Sequence, residues 1–211
     1  MDERRIYDIT RPITSATPVW PGDPAPELEW FSQTSSGDAA NASAIRMSVH
    51  TGTHADAPYH VDGSGPRIGE IPANVFVGAA RLVDVRGVEL ITAEVARRVI
   101  GELPWPRRIL FRTGAWSHPT VFPTRFPSFA AEAADVLNEA GVLLVGTDAP
   151  SVDAFSSTDL PAHRSFAGAG TVILENLLLD DVAPGDYELI ALPLRLLEAD
   201  GSPVRAILLR R

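Results

Sequence analysis

The chain has 211 residues, a net charge of −9 at pH 7, 45% hydrophobic residues and no cysteine. That length and apolar content suit one domain, 1–211, with a sizeable core, and the acidic balance argues against nucleic acid as a partner. Without thiols there is no disulfide framework and no thiolate nucleophile or ligand, so any metal site must be built from nitrogen and oxygen. All 18 basic residues are arginine, and no function follows from that.

The first residues lead into Ile6-Tyr7-Asp8-Ile9 without an apolar signal core. No apolar run approaches the roughly 20 residues of a bilayer span. The expectation is a soluble cytoplasmic protein with no membrane partner. Residues 6–9 read as a first strand. Residues 17–26 form a proline-rich loop that supports neither a ladder nor a helix. Trp20, in its middle, either packs on the core or offers an aromatic wall to a flat small-molecule substrate. Residues 33–43 are small and polar and read as a loop. Ile45, Met47 and Val49 then alternate with Arg46, Ser48 and His50, which predicts a half-buried strand with His50 opposite its apolar face. Residues 61–66 read as a turn.

Residues 80–85 predict another strand. Thr92 caps a helix reaching about Leu103, with Glu94 in its first turn and Pro104-Trp105-Pro106 as its stop. Residues 109–113 read as a buried strand. Ser128 reads as the cap of an alanine-rich helix that ends at Gly141. Residues 142–146 form a strand, 151–170 a loop holding His163, and 171–179 an apolar run interrupted by Glu175. Residues 187–194 and 204–209 read as closing strands around a loop containing Asp200-Gly201. The two helix-plus-strand alternations predict an α/β fold with a mixed sheet and covering helices.

The chemistry concentrates in His50-Thr51-Gly52-Thr53-His54-Ala55-Asp56-Ala57-Pro58-Tyr59-His60, which holds three of the five histidines. Imidazoles and carboxylates at this density are a ligand set for a divalent transition metal, most often zinc. Two β-branched threonines, Gly52 and Pro58 argue against a helix here. A straight strand would set the Cα atoms of His50 and His54 roughly 13 Å apart, too far for comfortable chelation. The chain must therefore bend at Thr51-Gly52-Thr53, where glycine permits it. Glu175 adds a carboxylate inside an apolar run, which is costly unless a cation or an arginine meets it. His163 is ambiguous by itself, and His118 reads as a surface residue. Asp148, between a strand and a proline, reads as a turn-forming aspartate or as a hydrogen-bonding partner for a ligand.

The segment 50–60 resembles the H-x-G-T/A-H-x-D-x-P-x-H signature of the metal-dependent cyclase-like hydrolases. The resemblance extends to residues 17–23, 146–153 and 179–189, where it narrows to the bacterial formamidases of that family, and it spans essentially the whole chain. It implies a swivelling β/β/α fold, a homodimer, and two zinc ions per subunit, with manganese as the alternative. His50, His54 and Asp56 would hold the first metal, Asp56 would bridge, and His163 and Glu175 would hold the second. His60 would carry protons and Trp20 would line the substrate pocket. The implied reaction is hydrolysis of N-formyl-L-kynurenine in tryptophan catabolism. The alternatives are hydrolysis of another amide or cyclic amide, as in isatin hydrolases, and a closed metal site without catalysis.

Overall fold

The computed structural model describes residues 5–101 and 106–210. In chain order the strands and helices are β1 (Ile6–Asp8), β2 (Glu27–Ser32), β3 (Ala42–Arg46), β4 (His54–Asp56), β5 (Val77–Asp84), β6 (Leu90–Ile91) and α1 (Ala93–Ile100). They continue as β7 (Arg108–Arg112), β8 (Ser128–Phe129), α2 (Ala131–Glu139), β9 (Leu144–Thr147), α3 (Pro161–Gly168), β10 (Val172–Glu175), β11 (Gly185–Ile190), β12 (Gly201–Pro203) and β13 (Ile207–Arg210). The architecture is mixed α/β. Nine strands form one strongly curled sheet in the order β1-β13-β11-β5-β7-β9-β10-β4-β12. Its centre, β5-β7-β9-β10, is parallel, and antiparallel pairs flank it on both sides.

The central strands are built on continuous apolar runs, such as residues 109–111 and 172–174, because both faces are covered. Ile109, Phe111, Val145 and Ile173 point towards the helix layer, where they meet Ala133, Leu137 and Phe166. Leu110, Leu144, Val172 and Leu174 point the other way, into a second core with Phe76, Leu82 and Leu189. Among the described residues no helix is long and apolar enough to cross a membrane.

The expected elements appear with shifted ends and four corrections. α1 is capped as expected, Thr92 Oγ1 accepting from the Val95 N–H at 3.4 Å, but it ends at Ile100. Residues 102–105, which hold most of the expected stop, lie outside the described residues. Ser128 caps nothing; it belongs to β8, and α2 starts after Ala130 without a side-chain cap. Gly141 terminates α2 at φ +76°, as predicted. The half-buried strand through His50 is not formed. β3 stops at Arg46 and pairs only with β2, in a two-stranded ribbon whose apolar residues are exposed, Phe31 at 69% and Ile45 at 57%. The alternation there reports a ribbon edge rather than a core face. His163 sits in α3 rather than in a loop, because Pro161 is preset for the first helical turn. The expected loop holds Asp200 but ends there, because Gly201 opens β12, an edge strand paired with β4.

Candidate metal centre

The site is built where β4 lies antiparallel between β10 and β12. His54 is register partner to Glu175 on β10, and opposed residues on one face bring their Cβ atoms to about 5 Å. Asp56, two residues on, shares that face. The chain enters β4 through a bend at residues 51–53, with Gly52 at φ +65°. The positive φ favours glycine there, and a Cβ would also stand 3.1 Å from the Ile13 side chain, which would have to give way slightly. The bend works on the ligand as well, since the Gly52 carbonyl faces His54 Nδ1 at 2.9 Å. Accepting that N–H leaves His54 Nε2 as the free nitrogen. Thr53 secures the bend, donating from Oγ1 to the Asn176 carbonyl at 2.7 Å and accepting the Arg11 N–H at 2.9 Å.

His163 arrives from α3. Asp153 accepts the N–H groups of Ala162 and His163, both at 3.0 Å, and also faces His163 Nδ1 at 2.7 Å. One carboxylate thus caps a helix whose own N-cap, Leu160, supplies no side-chain bond, and fixes the imidazole with Nε2 inward. Glu175 is buried, and its neighbours are imidazoles plus the Val152 N–H at 2.8 Å, not an arginine.

Four separations define the centre. His54 Nε2 lies 3.4 Å from Asp56 Oδ1 and 3.5 Å from Glu175 Oε2. His163 Nε2 lies 3.7 Å from Asp56 Oδ2 and 3.4 Å from Glu175 Oε1. Two donors on one cation, with bonds of about 2.1 Å at the tetrahedral angle, stand about 3.4 Å apart. The donors are therefore spaced as ligands of a divalent cation would be. Asp56 Oδ2 is buried without a hydrogen-bond partner, a costly state that a cation resolves. The residues present fit a divalent metal held by nitrogen and oxygen.

His50 lies in the turn before β4, its Nδ1 2.8 Å from Asp56 Oδ1 and its Nε2 2.9 Å from Asp200 Oδ2. His60 closes the short 3-10 turn Pro58–His60, with Nδ1 2.9 Å from that same Asp200 oxygen. Three overlapping triads, His50–His54–Asp56, His50–His60–Asp200 and Asp56–His60–His163, each bring one potential ligand atom per residue within 4.8 Å of the others.

The electrostatics follow from this crowding. Burial disfavours the charged His50 ring, but the Asp56 charge and the hydrogen bonds to Asp200 and Asp56 outweigh it and push its pKa up to about 10. Burial likewise opposes charge on His163, and the hydrogen bond to Asp153 with the neighbouring Asp56 and Glu175 carboxylates raises it well above the ordinary range. Asp56 is held well below the usual carboxylate range; burial would raise it, and His54 and His50 prevail. Hydrogen bonds from His50 and His60 hold Asp200 low. In the metal-free chain these imidazoles keep protons that a cation would displace.

Above the cluster opens a cavity of about 340 Å³. One wall is aromatic, Trp20 lying 5.0 Å from Phe155 and 5.5 Å from Phe122 between ring centroids. Asp23 also lines it and is the one lining carboxylate outside the cluster. Asn176, at φ +58° and buried with an unpartnered Oδ1, lines the floor.

All seven candidate residues from the sequence, His50, His54, Asp56, His60, His163, Glu175 and Trp20, line this cavity or contact residues that do. His118 is exposed and meets Thr120. Asp148 accepts from Thr113 N, Thr113 Oγ1 and Gly114 N at 2.8, 2.6 and 2.8 Å, and so ties down the 113–114 loop. Sequence reasoning missed Asp153 and Asp200. Asp153 fell inside a matched block but carried no local signal, and Asp200 stands in an Asp-Gly pair that reads as a turn.

Comparison with known proteins gives the same direction. The family described as putative cyclase matches residues 7–154. A kynurenine formamidase of Geobacillus thermodenitrificans (strain NG80-2) is 43% identical over 202 residues, covering 95% of each chain. The structure of a predicted metal-dependent hydrolase from Bacillus stearothermophilus superposes with a TM-score of 0.84 at 32% identity, covering 99% of both chains. Isatin hydrolase A from Labrenzia aggregata, bound to benzyl benzoate, gives a TM-score of 0.84 at 29% identity over 98% of this chain and 93% of that one. The chain belongs to the putative cyclase family, and within it matches the kynurenine formamidases over nearly its whole length.

Proposed function

We propose that the chain hydrolyses N-formyl-L-kynurenine to L-kynurenine and formate at a centre of two metals. The observation that carries this reading is the spacing of the donors: Asp56 and Glu175 each turn one oxygen towards His54 and the other towards His163, at 3.4 to 3.7 Å. His50, His54 and Asp56 would hold the first metal, and His163 and Glu175, with Asp56 shared, would hold the second. Zinc is the expected metal, with manganese as the alternative. A metal pair in such a site polarises a carbonyl and lowers the pKa of water.

The residues of the chain supply the rest. His60, held through Nδ1 by Asp200, takes a proton from the attacking water and returns one to the departing nitrogen. Water oxygen bonds to the formyl carbon, the carbon–nitrogen bond breaks, and formate and an aryl amine leave. The nitrogen is attached to an aromatic ring, which makes it a better leaving group than an alkyl amine, so one histidine suffices for both transfers. Trp20, with Phe122 and Phe155 behind it, stacks on the aryl ring. Asp23 suits the α-ammonium of an amino-acid substrate. We further read the chain as one domain, 1–211, of the swivelling β/β/α type, acting as a cytoplasmic homodimer.

The likeness to isatin hydrolase A supports a second reading, opening of a cyclic amide at the same centre. Isatin has no ammonium for Asp23 to meet. The experiment is a side-by-side assay of the purified protein on N-formyl-L-kynurenine and isatin, with and without chelator. Formate release that chelator abolishes is the expected result. Turnover of isatin alone would transfer the site to the second reading, and absence of both activities would defeat catalysis.

A further inference from the structure

We infer that Asp200 is the positioning carboxylate of this centre. Its Oδ2 accepts both the Nδ1–H of His60 and the Nε2–H of His50, which leaves His60 Nε2 free to carry protons and His50 Nδ1 free to hold metal. This rests on the proposed roles of those two histidines.

Both contacts are 2.9 Å and both end on a single oxygen. The rings are adjacent, 4.3 Å between centroids, so one acceptor sets the orientation of both. An imidazole that donates from one nitrogen presents the other unprotonated when neutral, and an oriented carboxylate is the usual device for choosing which. His54 and His163 follow the same rule, oriented through Nδ1 by the Gly52 carbonyl and by Asp153. With Asp200 in this role, each histidine of the centre has an orienting acceptor.

The fold shows how a residue 140 positions away from His60 is delivered here. β12 is an edge strand whose Gly201 pairs with Asp56 and whose path is extended by the Ala57 N–H donating to the Asp200 carbonyl at 2.9 Å. Gly201 is not a turn residue. A Cβ there would stand 2.9 Å from the Ala55 carbonyl oxygen and 3.0 Å from His50 Cε1. Glycine lets the edge strand lie against the ligand strand, and that approach brings the Asp200 side chain between the two imidazoles.

The test is Asp200→Asn in the full-length, metal-saturated protein. Its amide keeps the shape but removes the charge, so the two imidazoles meet a neutral, weaker acceptor that also carries an NH2 donor. The first readout is independent of turnover: histidine-selective 15N NMR of His60. The wild type should show the Nδ1–H tautomer, and D200N a shift towards Nε2–H. The second is kinetics on whichever substrate the wild type turns over, with kcat expected to fall roughly 10²- to 10⁴-fold while KM stays within about threefold and bound metal is unchanged. Asp200→Ser, which removes the charge with less bulk, should behave alike and guards against a misfolded single variant. An unchanged His60 tautomer, or unchanged kcat per bound metal, overturns the positioning role. Loss of one metal equivalent at saturation also overturns it, by making Asp200 a ligand. If the wild type hydrolyses neither formylkynurenine nor isatin, the NMR readout still decides the positioning role.

Discussion

Replacing Asp153 by alanine isolates the link between folding and metal affinity. Asp153 does two jobs with one carboxylate: it takes two N–H groups at the start of α3, and it takes the Nδ1–H of His163 at 2.7 Å. Losing a helix cap costs about 1 kcal/mol. Losing a charge-assisted bond to a buried imidazole costs about 1.5–3 kcal/mol. Together these come to roughly 3 kcal/mol, and at about 2–4 °C per kcal/mol for a chain of this size Tm should fall by roughly 6–12 °C. His163 also loses the acceptor that fixes its tautomer, so metal affinity should weaken by roughly 10- to 100-fold. Thermal unfolding of the chelated protein gives the first quantity and competition with a chromophoric chelator the second. Asp153→Asn should recover part of the Tm, because one oxygen can still cap α3, without recovering the affinity. An alanine variant whose Tm stays within about 2 °C of wild type, with unchanged metal affinity, refutes the double role.

Gly201→Ala should destabilise the protein by about 1–3 kcal/mol, since the added methyl meets the backbone of β4 and the shift displaces β12; calorimetry showing an unchanged or higher Tm would contradict the close strand approach. The chelated protein should lose stability as pH rises from about 6.5 towards 10. His50, pushed up to about 10, and His163, also raised, contribute stability that is fully present below the unfolded-state value near 6.5 and lost as pH climbs through their folded-state values. Saturating metal displaces those protons, so that decline should disappear while metal affinity itself rises with pH; parallel melts across the range, with and without chelator, separate the two behaviours. Trp20→Ala should raise KM for an aryl substrate by roughly threefold to tenfold, the worth of one or two aromatic contacts, with kcat changed less. A KM equal to wild type would remove Trp20 from the substrate pocket.

The sequence revealed those parts of the centre that are local in the chain. His50, His54, Asp56 and His60 stand within eleven residues, and the need for a bend at Gly52 followed from the length of an extended chain. Glu175 was legible because a carboxylate in an apolar run is expensive without a partner. Asp153 and Asp200 were not, because their roles come from α3 turning back over a loop and from an edge strand docking on β4. Neither arrangement has a periodicity to detect. The strand expected through His50 fails for the same reason: apolar residues alternating around β3 look core-facing, yet the ribbon formed with β2 leaves Phe31 and Ile45 exposed. His163 reads as a loop residue in the sequence because α3 is short and its cap is supplied by Asp153, several residues before the helix, rather than by the position in front of it. The core strands were easier. Burial on both faces makes them continuous apolar runs that survive errors of a residue or two at their ends.

The division of labour within residues 50–60 is tested most directly by His60→Ala, measured for kcat and for bound metal per chain on the same preparation. His54, Asp56, His163 and Glu175 stand 3.4 to 3.7 Å apart among themselves, and the proposed proton carrier His60 is held through Nδ1 by Asp200. Turnover of N-formyl-L-kynurenine should therefore fall by about 10²- to 10⁴-fold with the metal content of wild type retained. Wild-type turnover in the variant, or loss of metal in step with activity, would contradict it.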